Sequence, residues 1–274
     1  MTRIFVSKTN TWYATADRSD SIIAGIEGSM NSTMISSGGY CLFVAGNENV
    51  YSYDDNNKQL NVWSANASNN QPVMFINTYC RDLFVDENNT LYCSITNMHH
   101  VVTKSLNDPT NTFATVAGTG CFGSDSDMLA YPVGLFVALN FSLYVADSNN
   151  HRIQHFLQGS KNATTVAGNG ASGTFLLHDP MDVVLDGDGY LFIVDTNNHR
   201  IIRSGPYGFR CVVGCMETYG SASNQLTRPE SMSFDNQGNI WVADTGNGRI
   251  QKFILNNASR TFLELFHARD NVRK

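Results

Sequence analysis

An internal repeat constrains this chain more than any other feature of its sequence. Three segments align without gaps at successive offsets of 48 and 49 residues, namely 132–156, 180–204 and 229–253. A fourth copy at 81–105 keeps the apolar pattern but loses the polar one, and 40–46 and 4–7 resemble remnants of two more. Repeats of roughly 20 to 50 residues indicate an array of identical units, each of which covers the apolar face of the next. The sequence therefore predicts six units.

Each unit has the pattern of four short strands. In 180–204 an apolar strand is followed by Asp186-Gly187-Asp188-Gly189, whose residues suit a tight hairpin turn. The next strand, 191–194, is continuously apolar, which is expected where neighbouring sheets cover both of its faces. Helical periodicity is absent. The pattern predicts an all-β fold, a six-bladed β-propeller of four-stranded antiparallel blades.

The apolar start of the second strand provides a register for all six units. We place it at Ile4, Leu42, Leu91, Leu143, Leu191 and Ile240. One domain, 1–274, then contains blade cores near 3–25, 34–64, 81–118, 132–168, 180–214 and 229–265. In this register nothing precedes Ile4 to serve as its first strand, and the first strand of the second unit, around Met34 and Ile35, is weak. We therefore expect an incomplete first blade, a ring closed by a segment such as 267–272, or a piece of a longer protein.

The polar signature of the three strong copies resembles that of a known family. The runs 145–153 (VADSNNHRI), 194–201 (VDTNNHRI) and 242–250 (VADTGNGRI) are similar to the NHL repeat. The resemblance is specific in these copies and weaker over the rest of the chain. It implies blades of a six-bladed propeller, in agreement with the number of units counted above.

An aspartate and an arginine lie five residues apart in each strong copy. The pairs are Asp147 with Arg152, Asp195 with Arg200, and Asp244 with Arg249. In the weaker copies, in the register above, both are lost together (Ile95 with His100, Gly46 with Tyr51, Lys8 with Tyr13). A mutually dependent contact predicts such joint loss, because a half-buried charge without its partner is costly. We interpret the pairs as structural ion pairs across the turn between the second and third strands, with a ligand contact as the alternative.

Three histidines, His99, His151 and His199, recur at one offset in successive units. With Asn150 and Asn198 they are our candidate binding residues. A shared zinc ion is disfavoured, because blades related by a rotation of about 60° separate equivalent side chains too widely. The Asp186–Gly189 segment lacks the acidic residue that ends a calcium loop. We predict no metal site, cofactor or catalytic residue, although zinc or calcium remains open under the enzyme alternative.

Charge and composition restrict the partners. Asp and Glu outnumber Lys and Arg by 24 to 18, for a net charge of −6, and no basic cluster occurs. Nucleic acid and anionic membrane surfaces are therefore not expected as partners. No apolar run is long enough for a transmembrane helix or a signal peptide. Six cysteines, which allow 15 disulfide pairings, and Asn-x-Ser/Thr sites together favour an extracellular location.

These observations favour a non-catalytic binding or scaffold propeller, monomeric as a domain. A protein or peptide would dock on one face, on loops such as 118–131 and 168–178. The family resemblance implies two alternatives. One is a metal-dependent enzyme, similar to amidating lyases or to lactonases and esterases; the other is an RNA-binding NHL domain. Partner identity, the face used and disulfide connectivity are not fixed by the sequence.

Overall fold

The computed structural model describes residues 4–7, 9, 11–16, 21–26, 32–37, 41–64, 70–216, 218–256 and 261–269, with backbone alone at 16–37 and 255–269. Its strands pair antiparallel, in chain order, into four-stranded sheets. The first sheet contains β1 (Ile4–Val6), β2 (Thr11–Ala16), β3 (Ser21–Ile26) and β4 (Ser32–Ser37). The second contains β5 (Leu42–Val44), β6 (Val50–Asp54), β7 (Gln59–Trp63) and β8 (Gln71–Phe75). The third contains β9 (Leu83–Val85), β10 (Thr90–Ile95), β11 (His100–Ser105) and β12 (Ala114–Ala117).

The strong sequence repeats form the remaining sheets. The fourth contains β13 (Pro132–Val137), β14 (Leu143–Asp147), β15 (Arg152–Phe156) and β16 (Ala163–Gly168). The fifth contains β17 (Pro180–Leu185), β18 (Leu191–Asp195), β19 (Arg200–Arg203) and β20 (Arg210–Val213). The last contains β21 (Ser231–Phe234), β22 (Ile240–Asp244), β23 (Arg249–Asn256) and β24 (Thr261–Arg269). The prediction of an all-β propeller with four-stranded antiparallel blades is confirmed.

The connections between strands lie on two opposite faces. Because the strands alternate in direction, the turns between first and second strands, and between third and fourth, lie on one side, which we call the lower face. The turns between second and third strands, and the segments that enter each sheet from the previous one, lie on the upper face. Short 3-10 helices form four of the upper turns: Thr96–Met98, Ser148–Asn150, Thr196–Asn198 and Thr245–Asn247.

The lower turns follow from their Asp and Gly residues. In the fifth sheet, Asp186 Oδ1 accepts the backbone N–H groups of Asp188 (3.1 Å) and Tyr190 (2.9 Å), and Gly189 has φ of 80°. Because a side chain disfavours that left-handed conformation, glycine suits the position. The Asp186–Gly189 segment is thus a hairpin turn.

The predicted strand register is wrong in the first two sheets. Ile4 and Leu42 lie in the first strands, β1 and β5, and not in second strands. Met34 lies in β4 of the first sheet, so that sheet runs from Ile4 to Ser37 and the second from Leu42 to Phe75. The predicted register was wrong because first and second strands contain similar short apolar strings. With the corrected register, a first strand no longer has to be found before Ile4.

The first strands line the centre of the molecule with aromatic rings. The strings at 4–6, 42–44, 83–85 and 135–137 are Ile-Phe-Val or Leu-Phe-Val. Their phenylalanines are neighbours, with ring centroids 5.5 Å apart for Phe5 and Phe43, 4.8 Å for Phe43 and Phe84, and 5.3 Å for Phe84 and Phe136. They line a central cavity of 230 Å³. Most of the apolar core lies farther out, in clusters between neighbouring sheets.

Buried polar groups connect successive first strands. Asp82 Oδ2 accepts the N–H of Leu135 (2.7 Å), and Asp182 Oδ2 accepts the N–H of Met232 (3.0 Å). Where the fourth sheet meets the fifth, Gly134 occupies the position that Asp82 and Asp182 have in their own sheets. A Cβ at Gly134 would lie 2.6 Å from the Asp182 Cα. The backbones approach so closely at that junction that only glycine fits.

The first and last sheets also contact each other. The N–H of Ile4 donates to Ser231 Oγ (3.3 Å), and the N–H of Val6 donates to Ser233 Oγ (3.1 Å). Trp12 packs with Trp241 and Ile250 in one buried cluster. Residues 267–269, proposed above to close the ring, instead extend β24, which pairs with β23 of the last sheet, and residues 270–272 lie outside the described residues.

Four cysteines form two disulfides, Cys80–Cys93 and Cys211–Cys215. Cys80–Cys93 joins the segment before β9 to β10, inside the core cluster of the second and third sheets. Cys121 is exposed in the segment that enters the fourth sheet. In the described part of the chain, no helix is both long and apolar enough to span a membrane.

Candidate binding face

Four upper turns share one backbone conformation. Each is a single 3-10 turn followed by a residue with positive φ: His99 (55°), His151 (53°), His199 (56°) and Gly248 (60°). The N–H of that residue donates to the carbonyl of the first helical residue. Glycine adopts this region freely, and histidine is enriched there among other residues. The recurrent histidine is therefore part of the turn.

Asp147 lies at the centre of a network in the fourth sheet. Its Oδ1 accepts the N–H of Ala130 (2.6 Å), and its Oδ2 accepts from Asn150 Nδ2 (2.8 Å) and Arg152 Nε (2.7 Å). The carboxylate is fully buried. Burial raises the pKa of the Asp147 carboxyl above its ordinary value, although each of these donors opposes that rise.

The same network holds the segment 118–131, which enters the fourth sheet. Arg152 Nη1 donates to the carbonyl of Ser124 (2.7 Å), and Nη2 donates to those of Asp125 and Met128 (both 3.2 Å). Asn150 Nδ2 also donates to the carbonyl of Gly123 (2.8 Å). Backbone carbonyls of an irregular segment thus find donors inside the protein, as buried polar groups require.

The fifth sheet repeats the network with fewer contacts. Asp195 accepts from the N–H of His178 (2.8 Å), Asn198 Nδ2 (2.9 Å) and Arg200 Nε (2.8 Å). Arg200 Nη2 and Asn198 Nδ2 both donate to the carbonyl of Leu176, at 3.0 and 3.3 Å. The Arg200 side chain is 22% exposed, compared with 9% for Arg152. The entering segment is also shorter, at 169–179.

The last sheet has the full set. Asp244 accepts from the N–H of Thr227 (2.7 Å), Asn247 Nδ2 (2.8 Å) and Arg249 Nε (2.8 Å). Arg249 donates to three carbonyls of the segment 214–230, those of Ser221 (2.8 Å), Ala222 (2.9 Å) and Gln225 (2.9 Å). In all three sheets the aspartate, asparagine and arginine hold the entering segment against the upper turn. Asn150 and Asn198, our candidate binding residues, therefore have their amide N–H groups engaged within the protein.

The three candidate histidines connect neighbouring sheets. Nδ1 of His99 accepts the N–H of Tyr131 (3.2 Å), Nδ1 of His151 that of Asp179 (3.1 Å), and Nδ1 of His199 that of Arg228 (3.0 Å). Each donor immediately precedes the first strand of the next sheet or lies within three residues of it. A ring nitrogen that accepts must be unprotonated, so these contacts require a neutral imidazole with its proton on Nε2.

The surroundings of the three rings differ. Asp179 Oδ1 lies 3.2 Å from His151 Nδ1. Burial, together with the nearby Arg228 guanidinium, lowers the pKa of His199. His99 packs edge-to-face against Tyr131 (centroids 4.9 Å apart) and Phe122 (5.5 Å).

A fourth copy of the polar signature was missed in the sequence. Asp54-Asp55-Asn56-Asn57-Lys58-Gln59 aligns with 147–152, with Gln59 at the arginine position. Asp54 pairs with Gln59 across the strands as Asp147 does with Arg152, and Asn57 Nδ2 donates to Asp54 Oδ2 (2.7 Å). In the corrected register the aspartate and arginine are thus not always lost together. The corrected strand register would have revealed this copy.

A cavity of 460 Å³ opens on the upper face among the third, fourth and fifth sheets. Asn97 and Asn149, from two upper turns, line it with Tyr79, Tyr131 and Met181. Charged groups are present too: Asp179 lines the cavity, and so does Arg81, whose guanidinium lies 3.6 Å from Glu230. The cavity offers apolar surface with a few hydrogen-bonding groups, as recognition sites commonly do.

Exposed apolar side chains lie on the same face as this cavity, and Tyr79 and Tyr131 line it. Most of the large hydrophobic residues that are exposed in the described part of the chain lie in entering segments or upper turns: Tyr79, Met98, Phe122, Tyr131, Phe175, Leu176, Met216 and Tyr219. Leu176 is 76% exposed and Tyr219 68%. The entering segments 118–131 and 168–178, expected above to carry binding, contribute half of this set. The residues that line the cavity were not among the candidates, because only Ser148 and Asn149 lie in the polar signature and the others belong to no motif.

The described residues of this face include no cluster of metal-ligating side chains. Among the residues that the structure describes, no three His, Cys, Asp or Glu side chains are grouped so as to hold a metal ion. The histidines instead bridge successive sheets at the three boundaries between the third sheet and the last. Their Nδ1 atoms are occupied by backbone N–H groups, which limits each ring to its Nε2 atom for any other contact.

Comparison with known sequences places the repeat in a family. The NHL repeat matches residues 129–156 and 226–253. NHL repeat-containing protein 2 is 36% identical over 106 residues in Homo sapiens and 34% identical over 106 residues in Bos taurus. Each match covers 34% of this chain and 14% of the relative. The similarity thus concerns a small part of those longer proteins.

Solved structures share the fold at low sequence identity. A chain from a nidogen/laminin complex has a TM-score of 0.71 at 14% identity and covers 93% of this chain and 92% of its own length. A streptogramin B lyase has a TM-score of 0.67 at 13% identity, with coverages of 98% and 84%. Propellers from a protein complex and from an enzyme are thus both similar in fold. This chain thus contains NHL repeats, and each matched repeat lies in a four-stranded antiparallel blade of a β-propeller.

Proposed function

We propose that this propeller is a non-catalytic recognition module that binds a protein or peptide on its upper face. The observation that carries the proposal is the set of exposed aromatic and aliphatic side chains on this face, two of which, Tyr79 and Tyr131, line the 460 Å³ cavity. Exposed apolar surface concentrated on one face of a folded protein is typical of interaction sites. Aromatic anchors that surround a pocket are the usual centres of binding energy in protein interfaces.

The chemistry of the cavity fits one inserted side chain. Tyr79, Tyr131 and Met181 offer apolar surface, while Asn97 and Asn149 offer amide groups for hydrogen bonds. Arg81 and Asp179 place charges of both signs there. A partner residue with an apolar body and a polar end is therefore the expected anchor.

The candidate histidines have an indirect role in this proposal. His99 orients Phe122 and Tyr131 by packing against both rings, and His199 packs against Tyr219 with centroids 5.2 Å apart. His151 packs against His178 at 5.3 Å. Because each ring also bridges two sheets, these residues shape the face on which a partner docks, and Asn150 and Asn198 hold its entering segments.

Paired surface variants test the proposal. The full chain is used as bait for cross-linking to proteins of its native source, with photoreactive residues placed at Phe122 or Tyr219. Matched sites on the lower face, at Leu157 (62% exposed) and Tyr207 (102%), serve as controls. We expect one partner to cross-link from the upper sites and to be lost with Tyr131→Ser, while Leu157→Ser leaves its binding unchanged.

Two results would contradict this assignment. A partner that cross-links equally from Leu157 and Tyr207 would move recognition to the lower face. About one equivalent of tightly held zinc or calcium in purified protein, together with turnover of an ester, lactone or peptidyl substrate, would replace recognition with metal-dependent catalysis.

We also propose that the blades form a closed ring of six and that the protein works in an oxidising, extracellular compartment. The Ile4 and Val6 contacts to Ser231 and Ser233 support ring closure. The two disulfides support the location, since such bonds persist outside the cytosol. Counting alkylatable thiols in protein from its native source tests the location: two are expected, whereas six would contradict it.

A further inference from the structure

A second cavity, of 560 Å³, opens on the lower face and is distinct from the upper binding face. It lies among the third, fourth and fifth sheets, between the turns that join their first and second strands. Phe84, Phe136 and Leu185 line both this cavity and the smaller central one. Its volume falls within the range typical of small-molecule sites.

The walls of this lower cavity are aromatic. Phe84 and Phe136 meet edge-to-face with centroids 5.3 Å apart, and Phe141 and Tyr144 line the same space. Tyr144 is backed by His155, stacked at 4.3 Å, and burial lowers the pKa of that histidine. Rings of this kind attract cations to their faces.

Carboxylates surround the opening. Asp86, Glu87 and Asp186 line it, and the first and last of these are fixed by their turns. Asp86 Oδ1 accepts the N–H groups of Asn88 (2.9 Å) and Thr90 (2.8 Å). Asp186 Oδ2 accepts from Arg203 Nη2 (3.0 Å), whose guanidinium lies over the Tyr190 ring. Arg203 balances Asp186, so Asp86 and Glu87 leave the opening negative.

The fourth sheet's lower turn has an aromatic residue at the position of positive φ. The equivalent residue is Glu48 (62°), Asn89, Gly189 or Gly238 in the second, third, fifth and last sheets, and Phe141 (59°) in the fourth. A bulky residue is a conformational outlier there. Leu139, two residues earlier, is 84% exposed. Neither residue helps the turn to fold, but both add apolar surface to the cavity or beside its opening.

We propose that the lower cavity binds a small organic cation with an apolar body, such as an aromatic ammonium ion. The aromatic walls take the apolar body, and the carboxylates at the opening attract the charge. Phe141 is retained in an unfavourable turn position because its ring forms part of the site. Leu139 would cover the bound molecule at the opening.

Three soluble probes of similar shape test the proposal in the full chain. Phenethylammonium, neutral phenethyl alcohol and anionic phenylacetate are titrated by isothermal calorimetry or by protein-observed NMR. We expect affinity to fall in that order, with the cation binding about tenfold more tightly than the alcohol. Equal binding of cation and alcohol, or no binding of the cation, would overturn the proposal.

Phe141→Gly separates a binding role from a structural one. Glycine relieves the backbone, so thermal stability should be unchanged or higher, while affinity for phenethylammonium should fall about tenfold or more. Glu87→Gln should weaken cation binding several-fold without affecting that of the alcohol. Phe122→Ser, on the upper face, is the matched control and should leave binding intact. Undiminished binding by Phe141→Gly would overturn the proposal, as would a basic peptide that needs Phe141 while phenethylammonium fails to bind.

Discussion

The upper turns of the last three sheets face longer entering segments than those of the second and third sheets. This difference explains why the last three, unlike the second and third, have a buried aspartate–arginine pair. Only four residues separate β4 from β5 and seven separate β8 from β9, whereas the longer segments 118–131, 169–179 and 214–230 enter the last three sheets. An arginine follows the turn in each of the last three sheets, whereas the second has Gln59 and the third His100. The arginines donate to carbonyls of the long segments.

The number of these contacts follows segment length. Arg152 and Arg249 donate to three carbonyls each, and Arg200, beside the shortest of the three segments, donates to one. A long irregular segment has more backbone groups that its own structure leaves unpaired. The aspartate, asparagine and arginine of the NHL signature therefore fix long upper-face segments in place by hydrogen bonds. The exposed aromatic residues on those segments are positioned in the same way.

The largest expected loss of stability follows from removing the buried Asp147 carboxylate. Asp147→Ala should lower the free energy of unfolding by about 3–5 kcal/mol, because Arg152 is left buried without its partner. The matched change Asp54→Ala, at a half-buried residue that accepts from Asn56, Asn57 and no arginine, should cost about 1 kcal/mol or less. Urea denaturation measures both.

A double variant checks the coupling. In Asp147→Ala/Arg152→Met the buried charge is gone, so the combined loss should be clearly smaller than the sum of the single losses. Simple additivity would show that the two residues stabilise the protein independently. The difference between the two groups of sheets would then not depend on a buried aspartate–arginine pair.

The arginines should differ in how much each stabilises the protein. Arg249→Met removes donors from three carbonyls and Arg200→Met from one, so the first should cost about 2 kcal/mol more, at about 1 kcal/mol per hydrogen bond. The side chains are 6% and 22% exposed, in the same order. Proteolysis should also reach the segment 218–230 in Arg249→Met sooner than it reaches 169–179 in Arg200→Met. Equal losses would argue that segment length is irrelevant.

The architecture could be predicted from the sequence, and the register only in part. The signature at 147–152 fixes strand ends in the last three sheets, because a buried pair needs adjacent strand positions, here Asp147 opposite Arg152. In the first two sheets the alignment relied on short apolar strings, which first and second strands share. It missed Asp54 and misplaced Ile4 and Leu42.

The binding face is less predictable for a physical reason. Residues of the upper cavity, such as Arg81, Tyr131 and Asp179, come from the segments that enter three different sheets and differ in chemical type from one sheet to the next. Their proximity is a product of the ring arrangement, which no local pattern encodes. The histidines did recur, but their contacts lie in the next sheet, so their spacing indicated a repeated role without indicating that it was a bridge.

The histidine bridges allow a pH test of the same face. The folded pKa of His199 is lowered, so its contribution to stability is present above the ordinary value of 6.5 and is lost as the pH falls below it. Between pH 7.5 and 5.5 the loss should be below about 1 kcal/mol, since the ring is partly exposed.

His199→Gln, which can still accept a hydrogen bond, should flatten this pH dependence when compared with the wild-type chain. Thermal melting at both pH values gives the comparison, and an unchanged pH dependence in His199→Gln would contradict the assigned surroundings.

The smallest effect comes from adding the missing arginine. Gln59→Arg restores the signature beside Asp54, but only four residues separate β4 from β5, far fewer than precede the first strand of each of the last three sheets. The new ion pair would be half-exposed, so the free energy of unfolding should change by no more than about 0.5 kcal/mol. A gain of 2 kcal/mol or more in urea denaturation would mean that the aspartate and arginine stabilise the turn by themselves. The buried pairs of the last three sheets would then stabilise their own turns, and the long segments would merely make use of donors that were already there.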